Sequence, residues 1–185
     1  MPKPPSEARL PLVAPATAPD AISAAFRLLP VINLFRAMAN AESLYPAYIR
    51  YVNLLFKHLE LDAALERMIV LHVAKQSGCQ YAWRQNVVVA ESVGVSEEQI
   101  DALERSALSA SCFDDRQRIA FRFTEEAMRL IEVTDRTYAE TKAAFSDRSI
   151  TEMLYVIGTY MFLSRLARTG RVPLDDKPAN APPTD

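Results

Sequence analysis

The sequence predicts an all-α fold, and three observations support this prediction. Apolar residues recur at helical spacing along almost the whole chain, and no segment shows the alternation of a β-strand. Glycine occurs only four times in 185 residues, so tight hairpins are not expected. Residues that begin and end helices stand at the segment boundaries. We therefore expect a compact bundle of about seven or eight helices.

The two ends of the chain differ from its middle in composition. Residues 1–20 contain six prolines and no apolar leader segment, and residues 173–185 are also proline-rich and polar. Such segments bury too little apolar surface to fold alone, and no secretory signal is expected. The sequence predicts a flexible N-terminal arm at 1–20, one helical domain at 21–172 and a flexible tail at 173–185.

Helix boundaries inside the domain are marked by capping residues. A side-chain oxygen at a helix start accepts a backbone N–H, and glycine ends helices. Gly94 predicts such an end, and Ser96 with Gln99 predicts a capping box for the next helix. Asp114, Thr134 and Ser146 are the predicted caps of later helices. Asn40 is a candidate cap for an earlier helix whose inward residues are Tyr45, Ile49, Val52 and Phe56.

The stretch from Leu65 to Asn86 is predicted to form two helices that are broken at Gly78. The second helix opens at Cys79, and Cys79, Ala82, Trp83 and Asn86 then share one helix face. A thiol at a helix N-terminus lies beside backbone N–H groups and the positive end of the macrodipole, which stabilise its anion. Cys79 is therefore a candidate for chemistry; the alternative is a small buried hydrophobe at a helix start.

Charge and cysteine content exclude several classes of protein. A formal net charge of -2 gives no electrostatic case for nucleic acid or an anionic membrane. Two cysteines, Cys79 and Cys112, are too few for a disulfide scaffold or a four-cysteine zinc site. Neither His58 nor His72 has a second ligand at metal spacing. We expect a cytoplasmic protein that uses no metal and no cofactor.

One long apolar run extends from Met153 to Leu163. It is too short to span a bilayer, and Arg165 and Arg168 follow it directly. A helix that is apolar on all sides lies in a protein core or at an oligomer contact. A small bundle does not easily bury such a helix on every side, so a homo-oligomer is expected.

Three segments carry a resemblance to a known family. Residues 65–83 follow the pattern Leu-x-x-x-Ile-Val-Leu-x-Val-Ala-x-x-x-Gly-Cys-x-Tyr-x-Trp, with Asn-Leu-Phe-Arg-Ala-Met-Ala-Asn upstream at 33–40 and Phe-Ser-Asp-Arg downstream at 145–148. This combination resembles the carboxymuconolactone decarboxylase and alkylhydroperoxidase D family, and the likeness runs from about residue 29 to 176. The resemblance implies that family's helical architecture, homo-oligomers and sites lined by helices near subunit contacts.

The residues that carry this family's chemistry are changed here. Ala82 stands where the peroxidase members have a second cysteine, three residues after the first, and Asn86 replaces a histidine. Arg67 replaces a glutamate twelve residues before Cys79. Glu66 is adjacent, but one step along a helix rotates a side chain by about 100°, so Glu66 is not expected to occupy the same space as that glutamate without a change of register.

Three functional hypotheses follow from the resemblance. The first is a cofactor-free lyase or isomerase that acts on a small carboxylate or lactone. In it, Arg67 holds an anion, Cys79 and Tyr81 assist proton movement, and Asn86 orients an oxygen. The substrate-binding wall would include Trp83 and Ala82, although core packing for the aromatic residues and a surface salt bridge for Arg67 stay open. The other hypotheses are an alkylhydroperoxidase-like antioxidant and a non-catalytic member that binds a ligand.

Overall fold

The computed structural model describes residues 7–55 and 57–179. These residues form nine α-helices, one short 3-10 helix at Pro15–Thr17 and no β-strand. The helices are α1 (Asp20–Phe26), α2 (Asn33–Met38), α3 (Tyr45–Leu55), α4 (Ala63–Gln76), α5 (Gln80–Ser92), α6 (Glu97–Glu104), α7 (Asp115–Leu130), α8 (Asp135–Ala144) and α9 (Asp147–Gly170). The all-α prediction is confirmed. The described helices outnumber the predicted seven or eight because α1 and α2 have only seven and six residues, too few to show a helical period.

Helix α4 forms the centre of the bundle. Every residue from Leu65 to Ala74 is buried, and the helix packs against α5, α6, α7 and α9. Its sequence explains this position, since apolar side chains occupy most of its circumference. Three ionisable residues of α4, namely Glu66, Arg67 and His72, are enclosed together with the apolar ones. Burial of such groups requires partners or a shift of their pKa.

Most of the predicted caps are confirmed. Ser96 and Asp114 form capping boxes with Gln99 and Gln117, and the side chains of Thr134 and Ser146 accept backbone N–H groups at the starts of α8 and α9. The predicted cap at Asn40 is wrong. The Asn40 side chain donates to the carbonyls of Pro11 and Ala37, both at 2.8 Å, and α3 begins only at Tyr45. Tyr45, Ile49 and Val52 are buried as predicted, whereas Phe56 lies outside the described residues.

Gly78 forms the predicted break between α4 and α5. Its φ of 57° is left-handed, and a Cβ there would collide with the guanidinium of Arg168. Arg168 donates from Nη1 to the carbonyl oxygens of Ser77, at 2.5 Å, and Gly78, at 2.8 Å. The last helix thereby satisfies carbonyl groups left open where α4 ends. This turn places Cys79 at the N-cap of α5.

The described parts of both chain ends contact the bundle. Arg9 donates its backbone N–H to the carbonyl of Gly170 at 2.8 Å, and residues 173–179 run along α2 and α5. The division into an arm, a domain at 21–172 and a tail remains a prediction, and residues 1–6 and 180–185 lie outside the described part. Within that part, every helix is too short or too polar to cross a bilayer.

Candidate functional site

An apolar cavity of about 440 Å³ lies beside the central helix. Its walls come from α2, α3, α4, α5 and α9, from the loop before α4 and from Ala179. Most of the residues that line it are apolar, namely Leu, Ile, Val, Phe, Ala and Pro. The polar residues that line it are Lys57, Glu66, Arg67, Tyr81, Gln85, Asn86 and Tyr160. A largely apolar cavity with a few convergent polar groups is typical of a small-molecule site.

Glu66 and Arg67 form a buried ion pair at the cavity wall. Arg67 Nε lies 2.8 Å from Glu66 Oε2, and both side chains are almost entirely enclosed. The other carboxyl oxygen, Glu66 Oε1, is buried and has no hydrogen-bond partner among the described residues. A buried oxygen without a partner costs free energy, so Oε1 is the atom of this pair most ready to bind a proton or a ligand.

Burial raises the pKa of Glu66 to about 7, although the charge of Arg67 acts in the opposite direction. For Arg67, burial alone would lower the pKa, but Tyr160 and Glu66 outweigh it and the pKa is raised. The guanidinium therefore stays charged, while the carboxyl group titrates near neutral pH. A carboxyl group with such a pKa is suited to general acid–base catalysis.

Arg67 is held by a triangle of hydrogen bonds with Asn86 and Tyr160. Its Nη1 donates to Asn86 Oδ1 at 2.9 Å and to the Tyr160 hydroxyl at 3.1 Å. The Tyr160 hydroxyl donates in turn to Asn86 Oδ1 at 3.0 Å, and Asn86 Nδ2 donates to the carbonyl of Ala82 at 2.8 Å. Asn86 thus fixes the position of the guanidinium. Orientation of a substrate oxygen by Asn86, as the sequence suggested, remains a prediction.

Tyr81 links the cavity to the C-terminal residues. Its hydroxyl accepts a hydrogen bond from the backbone N–H of Leu34 at 3.0 Å and donates its single proton to Asp175. Burial, together with this contact to Asp175, raises the pKa of Tyr81. Tyr81 therefore joins α5 to the segment after α9, and its predicted part in proton movement remains a prediction.

The loop at residues 57–62 forms another wall of the cavity, and Glu152 of α9 anchors it. The Glu152 carboxylate accepts the backbone N–H of Glu60 at 2.8 Å and of Leu61 at 2.9 Å, and the Arg148 Nε at 2.8 Å. Burial alone would raise the pKa of Glu152, but these bonds outweigh it and the pKa is lowered. The carboxylate thereby fixes the loop that supplies Leu59 and Leu61 to the cavity.

Cys79 is close in sequence to the lining residues Tyr81 and Ala82, but it does not line the cavity itself. The thiol is buried, its Sγ accepts a hydrogen bond from the Ala82 N–H at 3.5 Å, and both cysteines are free. Trp83, predicted as a substrate contact, is also absent from the cavity wall, whereas Ala82 is part of it. The described residues contain no cluster of three or more His, Cys, Asp or Glu side chains that could hold a metal ion.

The central part of the chain matches a known protein family. The model of the carboxymuconolactone decarboxylase family matches residues 42–126, which include α3 to α6, most of α7 and the Gly-Cys turn. This central part of the chain is therefore similar to the carboxymuconolactone decarboxylase family. A comparison with curated proteins finds no significant match.

Solved structures support the same fold. A peroxidase-related protein from Ralstonia eutropha JMP134, described as an alkylhydroperoxidase AhpD core, has a TM-score of 0.79 and 20% identity over 91% of this chain and 93% of its own. A peroxidase-related protein from Silicibacter sp. TM1040 also has a TM-score of 0.79 and 20% identity, over 97% and 96% of the two chains. The debrominase Bmp8 has a TM-score of 0.75 and 17% identity over 90% and 92%. Identities this low establish the fold alone.

The sequence prediction of the polar site was incomplete. Glu66 was not among the predicted site residues, yet it lines the cavity together with Arg67 and contacts it. Both side chains are long enough to bend toward a common point despite the rotation between their Cα atoms. The other polar residues that the sequence prediction missed are Lys57, Gln85 and Tyr160, which line the cavity, and Asp175, which contacts Tyr81 and Gln85. Tyr160 and Asp175 lie far along the chain from the motif, and no local pattern indicates their approach.

Proposed function

We propose that this protein is a cofactor-free lyase or isomerase that transfers a proton to or from a small lactone or carboxylate. Glu66 is the acid–base group, and the cavity beside α4 is the substrate site. The observation that carries the proposal is the unpartnered Oε1 of Glu66, which is buried at the cavity wall in a carboxyl group whose pKa is about 7. At neutral pH such a group is present in both protonation states, as a proton-transfer catalyst requires.

The apolar walls would hold the carbon skeleton of the substrate, and Arg67 would supply positive charge where negative charge develops. In a decarboxylation, the carbon–carboxylate bond breaks, carbon dioxide leaves, and the electron pair moves into the conjugated carbonyl system. Protonated Glu66 then donates its proton to carbon and recovers one from solvent. In an isomerisation, ionised Glu66 removes a proton beside a carbonyl group and returns it to another carbon.

The ion pair also makes the preferred charge of the substrate depend on pH. When Glu66 is ionised, it balances the charge of Arg67, and Lys57 supplies the remaining positive charge among the described lining residues. Protonation of Glu66 leaves the guanidinium charge uncompensated by its neighbour and favours an anionic substrate. We therefore propose that a carboxylate ligand binds together with one proton, whereas a neutral lactone binds without proton uptake.

The test uses a panel of unsaturated five-membered lactones, with and without a carboxylate group, incubated with the protein in deuterated water. Mass spectrometry detects deuterium incorporation, and carbon dioxide release detects decarboxylation. We expect at least one compound to react, and Glu66→Gln to lower its rate by about 10²–10⁴-fold. Cys79→Ser should keep the rate. A compound that reacts equally well with the Glu66→Gln protein would contradict the role of Glu66.

A thiol-dependent activity is the second candidate, favoured by the position of Cys79 at the N-cap of α5. Burial of Cys79 outside the cavity wall argues against it, as does Ala82 in place of a resolving cysteine. An activity that is lost in Cys79→Ser but kept in Glu66→Gln would favour this candidate. Saturable ligand binding without turnover of any compound would favour a non-catalytic binding protein.

A further inference from the structure

We infer that residues 173–179, here named the C-terminal strap, form a specificity-determining wall of the cavity that limits the size of the ligand it admits. Asp175 is the positioning residue that holds the strap in place. The inference rests on the proposed function in one respect, namely that the cavity binds ligands. It does not require proton transfer by Glu66.

Asp175 holds the strap through three hydrogen bonds to two different helices. Its Oδ1 accepts the backbone N–H of Asn33, at the start of α2, at 2.9 Å. Its Oδ2 accepts Gln85 Nε2 of α5 at 2.8 Å and also accepts the hydroxyl proton of Tyr81. A carboxylate that accepts several hydrogen bonds from separate elements fixes their relative positions. Asp175 therefore joins α2 to α5 across the edge of the cavity.

Backbone contacts continue on both sides of Asp175. The side-chain Nδ2 of Asn33 donates to the carbonyl of Pro173 at 3.3 Å, and Arg84 Nη2 donates to the carbonyl of Asp176 at 2.8 Å. Gln85 Oε1 accepts the backbone N–H of Ala179 at 2.8 Å. Gln85 thus contacts the strap at two points, through its amide nitrogen and its amide oxygen. The strap is attached along its length and not at a single residue.

The strap belongs to the cavity as well as to the surface. Ala179 lines the cavity together with Gln85 and Tyr81, the α5 residues that hold the strap. The only residues of the strap's partner helix α2 that line the cavity, Leu34 and Phe35, follow directly after Asn33. A ligand large enough to reach past the wall at Ala179 must therefore displace the strap and break the bonds of Asp175. A smaller ligand fits with these bonds intact.

The test compares three neutral probes of increasing size, namely phenol, 1-naphthol and N-phenyl-1-naphthylamine, by calorimetric titration. The measured quantity is the ratio of the association constant of the largest probe to that of phenol. Asp175→Ala removes the three hydrogen bonds, and its matched control is Asp176→Ala, which removes a carboxylate at the neighbouring position and keeps the backbone carbonyl that accepts from Arg84. A chain ending after Leu174 removes Asp175 and all that follows, and its control is a chain ending after Ala179. Far-ultraviolet circular dichroism verifies that each protein is folded.

We expect the ratio to rise about tenfold in Asp175→Ala and in the chain ending after Leu174. In these proteins the largest probe can bind without first breaking the hydrogen bonds that hold the strap in place. The two controls should keep the native ratio. An unchanged ratio in both altered proteins, or the absence of saturable binding by every probe in every protein, overturns the inference. The same titrations on Glu66→Gln separate the two proposals. Suppose that Glu66→Gln has the same ratio as the unsubstituted protein, and that the unsubstituted protein turns over no lactone. The proposed chemistry then fails, and the strap inference stands.

Discussion

Arg67 Nε lies 2.8 Å from Oε2 of Glu66, its neighbour in the sequence, and the pair is buried on the side of α4 that faces the cavity. Adjacent residues of a helix do not normally face each other. Here both long side chains bend toward the cavity, where Asn86 and Tyr160 fix the guanidinium from the other side. The two opposite charges are consequently part of the packed core as well as of the candidate site.

Replacing Arg67 alone should therefore destabilise the fold. Arg67→Met leaves the buried carboxyl of Glu66 without its partner, and removing one member of a buried pair costs about 3–5 kcal/mol. Glu66→Gln combined with Arg67→Met removes both charges and should recover a large part of that loss. Chemical denaturation at pH 7 measures both effects. A double variant less stable than Arg67→Met would show that the ion pair does not determine stability here.

The stability contribution of Glu66 should fall as the pH rises. Its pKa is raised from 4.5 in the unfolded chain to about 7 in the folded protein, so the folded state binds more protons between these values. Because stability falls with pH wherever the folded state binds more protons, Glu66 destabilises the fold progressively from pH 4.5 to 7. Glu66→Gln should become more stable relative to the native protein across this range, as measured by urea unfolding. Glu104→Gln, which changes an exposed carboxyl, serves as the control and should show no such trend.

His72 should make the protein sensitive to acid. Both ring nitrogens are buried without a hydrogen-bond partner among the described residues, the ring packs against Phe121, and burial lowers its pKa to about 4. As the pH falls, His72 is protonated in the unfolded chain before it is protonated in the folded protein. The free energy of unfolding therefore decreases by about 3 kcal/mol between pH 6.5 and pH 4.

His72→Leu should remove this loss and raise stability at pH 7, because no polar ring atom is left unpaired. The control is His58→Leu, which replaces the other histidine, an exposed one. Thermal unfolding between pH 4 and 7 compares the three proteins. If native and His72→Leu proteins lose stability in parallel, another group causes the acid sensitivity.

The two cysteines should differ in reactivity. Cys79 is only 2% exposed, whereas Cys112 is half-buried in the loop between α6 and α7. Alkylation of Cys79 requires local opening, so iodoacetamide should modify Cys112 faster by at least about tenfold. Peptide mass spectrometry after timed exposure measures both rates. Faster labelling of Cys79 would show that its thiol is accessible and would support the thiol-dependent candidate.

The outer face of α9 should mediate self-association, as the sequence predicts. Leu154, Tyr155 and Phe162 lie on this face and remain 49%, 55% and 44% exposed, next to the aromatic rings of Tyr48 and Tyr51. Exposed apolar surface of this kind is typical of an interface. Light scattering should give a multiple of the chain mass of 20.7 kDa, and Leu154→Lys with Tyr155→Lys should reduce it.

Ile131, which is 88% exposed and follows α7, provides the matched control for that measurement. Ile131→Lys adds the same charge outside the α9 face and should leave the mass unchanged. A native protein that scatters light as a single chain at micromolar concentration would contradict the prediction.

The sequence predicted the fold class and most of the helix starts, but only part of the site. Capping residues such as Ser96 and Asp114 act within one turn, so their effect is visible locally. Asn40 has the right side chain for a cap, but its side-chain amide donates a hydrogen bond to the carbonyl of Pro11. Pro11 is distant in the sequence, and no local pattern indicates this contact. The same limit applies to Tyr160 and Asp175, which reach the motif of α4 and α5 only through tertiary packing. Glu66 was missed for another reason, since backbone rotation does not determine where a long side chain ends.

The cavity combines residues that are translated far apart in time. Residues 29–35 supply one of its walls and Ala179 another. A nascent chain on the ribosome can pair α4 with α5 soon after they emerge, but the wall at Ala179 forms only after that residue has been translated. A bound ligand would contact both of these distant segments, and the strap would then resist proteolytic cleavage for as long as the site is occupied.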